Sequence, residues 1–345
     1  MPRRRPAIRR AGATLVASLL CSLLPVAALA ASGEDQLRQA IVADDSVSYT
    51  GTITTLVYTT HGANATVVRV DHRAPKKWRM WYVAPADAYG RLIVSNESLT
   101  YQYEPKIATV FSNDWAQTSP DVILELDAQR VLKNYSVDVG AATNIAGRKA
   151  TALSLISKHT GALAERLWVD AENKLLLQRE TYRSDGTVES KTTFEDIRFV
   201  KDLPDGLFDL TVPTGMHVQP GATFGKARKD IATIQSSLNF TIISPSDLPE
   251  GFTLERASLG TPGGVPTAEL LYTDGLRDFS LFENSTDRLP QVTASRDIDI
   301  DDSSGVTADI AGETLVSWNA GGLNITLVGD LSAKELAKIG ASVKP

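Results

Sequence analysis

Four histidines, one cysteine and one acidic run are the residues of this 345-residue chain whose types could do chemistry. His61, His72, His159 and His217 are scattered, and none has a partner at the short spacing that a zinc site needs. Asp297-Ile298-Asp299-Ile300-Asp301-Asp302 opens like a calcium loop. Asp302 then stands where that loop needs glycine, and Ala308 where it needs the closing glutamate. Alternating Asp and Ile instead predict a strand edge with one charged face. There is no G-x-S-x-G elbow, no phosphate-binding glycine loop and no H-E-x-x-H. Gly260-Thr261-Pro262-Gly263-Gly264 reads as a flexible loop. The expectation is a binding protein, not an enzyme, with no cofactor, no metal and no catalytic residue.

The beginning of the chain predicts where it works. Arg3, Arg4, Arg5, Arg9 and Arg10 precede an uncharged apolar stretch from Ala11 to Leu24. Pro25 breaks that stretch, and Ala28-Leu29-Ala30 supplies a small-x-small cleavage pattern. This reads as a secretory signal peptide over residues 1–30, cut before Ala31, which would carry the mature chain out of the cytoplasm. Cys21, the single cysteine, follows Leu20 where a lipoprotein signal wants a small residue. The mature chain therefore has no thiol for a disulfide or a nucleophile. Without the five leader arginines, 30 basic residues face 41 acidic ones, a net of −11. Such a balance excludes nucleic acid as an electrostatic partner.

The ring-bearing residues carry the binding signal. Trp78, Trp81, Tyr82, Tyr101, Tyr103, Phe111 and Trp115 fall within fewer than 40 residues, although aromatics make up 7% of the chain. One reading is core plus surface rings. The other is a wall for an acyl chain built from Trp78, Trp81, Tyr101, Tyr103, Phe111 and Trp115, where each buried methylene would contribute roughly 0.8 kcal/mol.

These residues need a scaffold, and the pattern predicts one. Asp35 to Val42 reads as an amphipathic helix. Strands follow at 48–58, 65–72, 76–84, 91–95, 99–103 and 107–111, with a turn at His61-Gly62-Ala63-Asn64. A helix over 119–134 has Ser119 as its cap, Pro120 at its first position and Asp121 beside its positive end. Strands resume at 150–158, 164–170, 175–182 and 188–200, the last two joined by Ser184-Asp185-Gly186. About ten strands in up-and-down order would curl into a half-barrel with the helices as a lid.

Pro213-Thr214-Gly215 and Pro220-Gly221 predict a linker. The expected division is a domain over 31–215, a linker over 216–227 and a smaller α+β domain over 228–345. In that second domain, strands are expected at 268–272, 278–283, 313–318 and 324–328. A terminal helix over 332–342 is capped by Ser332, with Glu335 at the capping-box position.

The order of several segments resembles the MucB/RseB family, and more distantly, over the first domain, the LolA/LolB carriers. Leu99-Thr100-Tyr101, Tyr103-Glu104-Pro105, the stretch Arg166 to Asp170 and Arg183-Ser184-Asp185-Gly186-Thr187 resemble the family's first domain. Leu248-Pro249-Glu250-Gly251-Phe252, the stretch Leu271 to Leu276 with Phe279 to Phe282, and Ile325 to Asp330 resemble its second. The resemblance implies a LolA-like half-barrel of antiparallel strands with a helical lid, followed by a smaller α+β domain. It implies a partner, the periplasmic part of a membrane-bound anti-sigma factor, which the protein shields from a protease until a lipid-type signal of envelope stress releases it. Tyr272, Asp274, Leu276, Phe279 and Phe282 are expected at a docking surface for that partner or between the domains. Ordinary core and turn duty in the second domain is the other reading of those five. The second functional reading is a periplasmic lipid or lipoprotein carrier, and self-association into a homo-oligomer stays open.

Overall fold

The computed structural model describes residues 31–59, 62–97, 99–112, 126–220, 230–286, 288–292, 294–310 and 313–344. The fold is mainly β. The first helix, α1 (Gly33–Ile41), starts where Ser32 accepts a hydrogen bond from the Asp35 amide, with Glu34 and Asp35 beside its positive end. Six strands follow: β1 (Tyr49–Thr59), β2 (Gly62–Arg73), β3 (Lys77–Ala84), β4 (Leu92–Asn96), β5 (Thr100–Glu104) and β6 (Thr109–Ser112). Helix α2 (Ala128–Asn134) leads without a turn into β7 (Tyr135–Ile145). Then come β8 (Arg148–Ser157), β9 (Leu163–Asp170), β10 (Leu176–Tyr182), β11 (Val188–Phe199) and β12 (His217–Pro220).

These strands form one open sheet in the order β12-β6-β5-β4-β3-β2-β1-β11-β10-β9-β8-β7. The sheet is therefore two meanders fused at β1 and β11, with β6 second from one edge, β7 at the other, and β12 added outside β6. Strands β7 and β11 lie four places apart, so a flat sheet would hold them roughly 19 Å apart. Their Cα atoms instead approach within 8 Å. The sheet is strongly curled, and α1 and α2 pack on it. Leu37 and Ala40 of α1 meet Val131 and Leu132 of α2 over Leu153, Leu155 and Leu167.

The second sheet is antiparallel throughout. Helix α3 (Ala232–Gln235) precedes β13 (Thr253–Gly260), β14 (Thr267–Thr273), β15 (Asp278–Asn284), β16 (Arg296–Ile300), β17 (Ser303–Ile310), β18 (Glu313–Ala320) and β19 (Leu323–Gly329). Their order is β13-β14-β15-β19-β18-β17-β16. Helix α4 (Ala333–Gly340) closes the core with Leu336 and Ile339, and Ser332 and Glu335 form its capping box.

Several expectations are corrected. Gly62, Ala63 and Asn64 are ladder residues opposite Thr59, Tyr58 and Val57, not turn residues. His61, the signal peptide, Trp115 and the Ser119 cap lie outside the described residues; α2 is capped by Asp127, which accepts from the Gln129 and Arg130 amides. Strand β7 was not expected at all. Residues 217–220, expected in the linker, pair in parallel with β6. The order is not a single up-and-down run.

Two buried titratable groups set opposite pH dependences. His72 is fully buried, stacked on Trp78 at 3.6 Å between ring centres, with Nδ1 3.0 Å from the Val47 carbonyl. Burial lowers its pKa from 6.5 to about 4, against the opposing pull of backbone hydrogen bonds. The folded state thus refuses a proton that the unfolded chain takes below about 6.5, and stability is lost as pH falls from there through 4. Glu283 is also fully buried, and both of its oxygens lie 3.1 Å from the Ile243 amide. Burial raises its pKa from 4.5 to about 7, so its effect has the reverse sign: stability is full below 4.5 and lost as pH rises through 7.

Each dependence should amount to about 3 kcal/mol. Urea denaturation of His72→Phe should show less acid destabilisation between pH 6.5 and 4 than the parent chain. Glu283→Gln should be the less pH-sensitive protein between pH 5 and 8. Parallel pH curves for parent and variant would contradict the respective assignment.

Candidate functional site

Strand register decides what the aromatic residues can do together. Residues directly opposite in an antiparallel ladder share a face. Trp78 stands opposite His72, which stands opposite Tyr49, and Phe111 stands opposite Gln102 on that same face. Trp81, through Leu92, shares the other face with Tyr103, and Tyr101 lies two residues from Tyr103. Three of the five described rings therefore point away from the other two. Trp78 is buried in an aromatic core with Tyr49 and Phe194. Tyr103 is buried with Val94, Val110, Leu203 and Phe208, and Tyr101 packs edge-on against it at 6.1 Å. The segment around Leu203 to Met216 covers these tyrosines. Trp81 borders a cavity of about 570 Å³, but charged side chains dominate its lining. The rings do not make one oily wall.

One charged pair is buried in the first sheet. Glu165, almost fully buried, takes a hydrogen bond from Arg179 Nε at 3.1 Å on the stretch of sheet beside α1 and α2. Among the described residues no group of three His, Cys, Asp or Glu side chains could hold a metal ion. His217 lies at the β12 edge, and the Asp297–Asp302 run forms β16 and its turn, with Asp297 and Asp299 exposed.

The second cluster lies where the two sheets meet, at the corner between α2 and β7. Asn134 Nδ2 donates to the Asp274 carbonyl at 2.7 Å and to the Gly251 carbonyl at 3.3 Å. Its Oδ1 must then accept from His159 Nε2 at 3.1 Å, while His159 Nδ1 stands 3.5 Å from the Glu250 carboxylate. The Tyr135 hydroxyl donates to Asp274 Oδ2 at 2.6 Å, both groups buried. Burial and the Asp274 carboxylate push that phenol far above its ordinary range, so it remains a donor. Asp274 Oδ1 accepts the Leu276 and Arg277 amides at 2.9 Å each, which ties the turn to the same carboxylate. Arg130 forms an ion pair with Glu255 beside it.

Two glycines let the backbones come this close. A Cβ on Gly275 (φ +105°) would lie 2.8 Å from the Val131 amide nitrogen, and one on Gly251 (φ +88°) 3.0 Å from Asn134. Leu276 completes the corner by packing among the apolar residues of α1, α2 and the first sheet. Of the five residues expected at a docking surface, Asp274 and Leu276 are thus at the corner. Tyr272 and Phe279 stack in the second sheet's own core at 5.1 Å, and Phe282 on β15 is half-buried. Sequence reasoning missed Asn134, Tyr135 and His159. Only the Asp-Gly turn was visible, because a lone Asn at a helix end reads as an ordinary C-terminal residue.

A family model described as the MucB/RseB N-terminal domain matches residues 32–211. The fold is similar to that of MucB in its crystal structure with MucA(peri). The match covers 91% of this chain and 98% of that one, with a TM-score of 0.59 at 17% identity. The complex of Pseudomonas aeruginosa MucA/MucB matches over the same shares with the same score. MucB alone matches with a TM-score of 0.55, also at 17% identity. No curated protein sequence matches the chain.

The corner yields a direct test. Tyr135→Phe and Asp274→Asn should each destabilise the protein by about 1–3 kcal/mol, because each strands a buried polar group. The double variant should cost less than the sum by about 1 kcal/mol or more in a denaturation cycle. Strict additivity would show that the two residues do not interact.

Proposed function

The chain belongs to the MucB/RseB family, and on that premise we propose that it is a periplasmic regulator that binds the extracytoplasmic part of a membrane-bound anti-sigma factor. In this reading it shields that segment from proteolysis and lets it go when a lipid-type signal of envelope stress occupies the protein instead. The chemistry is competition between ligands: a signal can release the partner only as far as it binds the partner-free state more tightly.

The observation that carries the reading is that family and fold matches together span both sheets. The family match takes in the curled sheet up to residue 211, and the fold match to a MucB structure with MucA(peri) extends across 91% of the chain. One local feature fits a protein that holds an extended segment. Residues 138–144 of the edge strand β7 are exposed, and an exposed edge offers unpaired amides and carbonyls to an incoming strand. The leader sequence fits a periplasmic location.

The test uses mature chain 31–345 and the periplasmic segment of a single-pass membrane protein encoded beside a sigma-factor gene. Calorimetric titration should show saturable binding, the bound segment should resist a protease that cuts it when free, and an acylated ligand should reverse both effects. A segment that neither binds nor gains resistance would sink the proposal; binding that acylated ligands leave untouched would remove the lipid signal from it.

A further inference from the structure

We propose that the sheet face spanning β11, β1, β2 and β3 is a binding site for a short saccharide chain. The site is the cavity of about 570 Å³ beside Trp81. It crosses four strands, roughly 14 Å at ordinary strand spacing. Register sets its residues in two rows. One runs Arg198, Thr50, Asp71, Arg79; the next runs Asp196, Thr52, Arg69, Trp81. On β11 and β2 a guanidinium in one row lies beside a carboxylate in the other, β1 gives each row a threonine hydroxyl, and on β3 Arg79 lies beside Trp81.

Much of this hydrogen-bonding capacity is unused. Among the described residues the side chains of Thr50, Thr52, Arg69, Asp196 and Arg198 have no hydrogen bond or ion pair. Asp71 and Arg79 do pair, at 3.3 Å, and the Arg79 guanidinium sits 5.8 Å from the centre of the Trp81 ring. That pair orients the indole. Trp81 is half-buried and joins none of the four apolar clusters of the described chain.

The lining selects the ligand class. Sugar hydroxyls are both donors and acceptors, so neighbouring ones can meet a guanidinium, a carboxylate and a hydroxyl in turn. The C–H face of a pyranose suits the flat apolar body of an indole. An acyl chain would desolvate five charged groups with nothing in return. A phosphate-rich ligand would meet Asp71 and Asp196 among the arginines, at a cost in like-charge repulsion. Arg69, Asp196 and Arg198 are exposed, so the site is open to solvent and suits a chain lying across the sheet.

Calorimetric titration of mature chain 31–345 with hexasaccharides of glucose, N-acetylglucosamine and galacturonate tests this. At least one should bind saturably. Thr52→Val removes one hydroxyl with almost no change of shape, and it should weaken that binding about tenfold, as should Arg198→Ala and Trp81→Ala, with the unfolding midpoint of Thr52→Val unchanged. The proposal is overturned if none of the three binds at millimolar concentration, or if all three variants bind as the parent does. It is equally overturned if inorganic phosphate saturates the site while no saccharide does, which would make it an anion site.

Discussion

A buried carboxylate, Asp274, holds the two sheets together, and most of the architecture can be traced to how it is satisfied. Removing a charge from water is expensive unless several donors replace the solvent. Asp274 receives the Tyr135 hydroxyl from the first sheet and two amides from its own turn. Asn134 fastens the Asp274 carbonyl next door. Because Asn134 ends α2 and Tyr135 begins β7, the corner joins three things: the helix lying on the curled sheet, the sheet's edge, and the second sheet. A change in the seat of α2 is mechanically a change at the seam.

The same logic separates what the first sheet's faces can do. One face collects Trp78, Tyr49 and Phe194 into a packed core; the other buries Tyr103 under the Leu203–Met216 segment and leaves Trp81 beside charged residues. Apolar surface in this protein is largely spent on internal packing. Among the described residues few large hydrophobics are exposed, Val42, Tyr89 and Ile107 foremost, and the net charge of the chain is −6.

Much of this was legible in the sequence, for physical reasons that differ from element to element. Helix α4 was readable from Ser332 and Glu335, since a capping box is a local signal. The β10–β11 hairpin was readable from Ser184-Asp185-Gly186 for the same reason. The alternation that puts Trp78 opposite in sense to Trp81 was visible within one strand. Which rings meet across strands was not, because register is a non-local property. Strand β7 escaped notice because it follows α2 with no turn residue and runs through Gly140, Ala141 and Ala142, which carry no strand preference. Strand β12 was hidden by Pro213 and Gly215 before it and by Pro220 at its end, and its parallel pairing with β6 could not be inferred from neighbours in sequence. At the corner, the Asp274-Gly275 turn was visible, while its partners some 140 residues earlier were not.

Differential scanning calorimetry tests the joint most directly. If Asp274, Asn134 and Tyr135 bind the sheets into one body, residues 31–345 should unfold in a single endotherm with equal calorimetric and van't Hoff enthalpies, which splits in two when Tyr135→Phe and Asp274→Asn are combined. Two separate endotherms in the unaltered chain would contradict the account, since the sheets would then be independent modules.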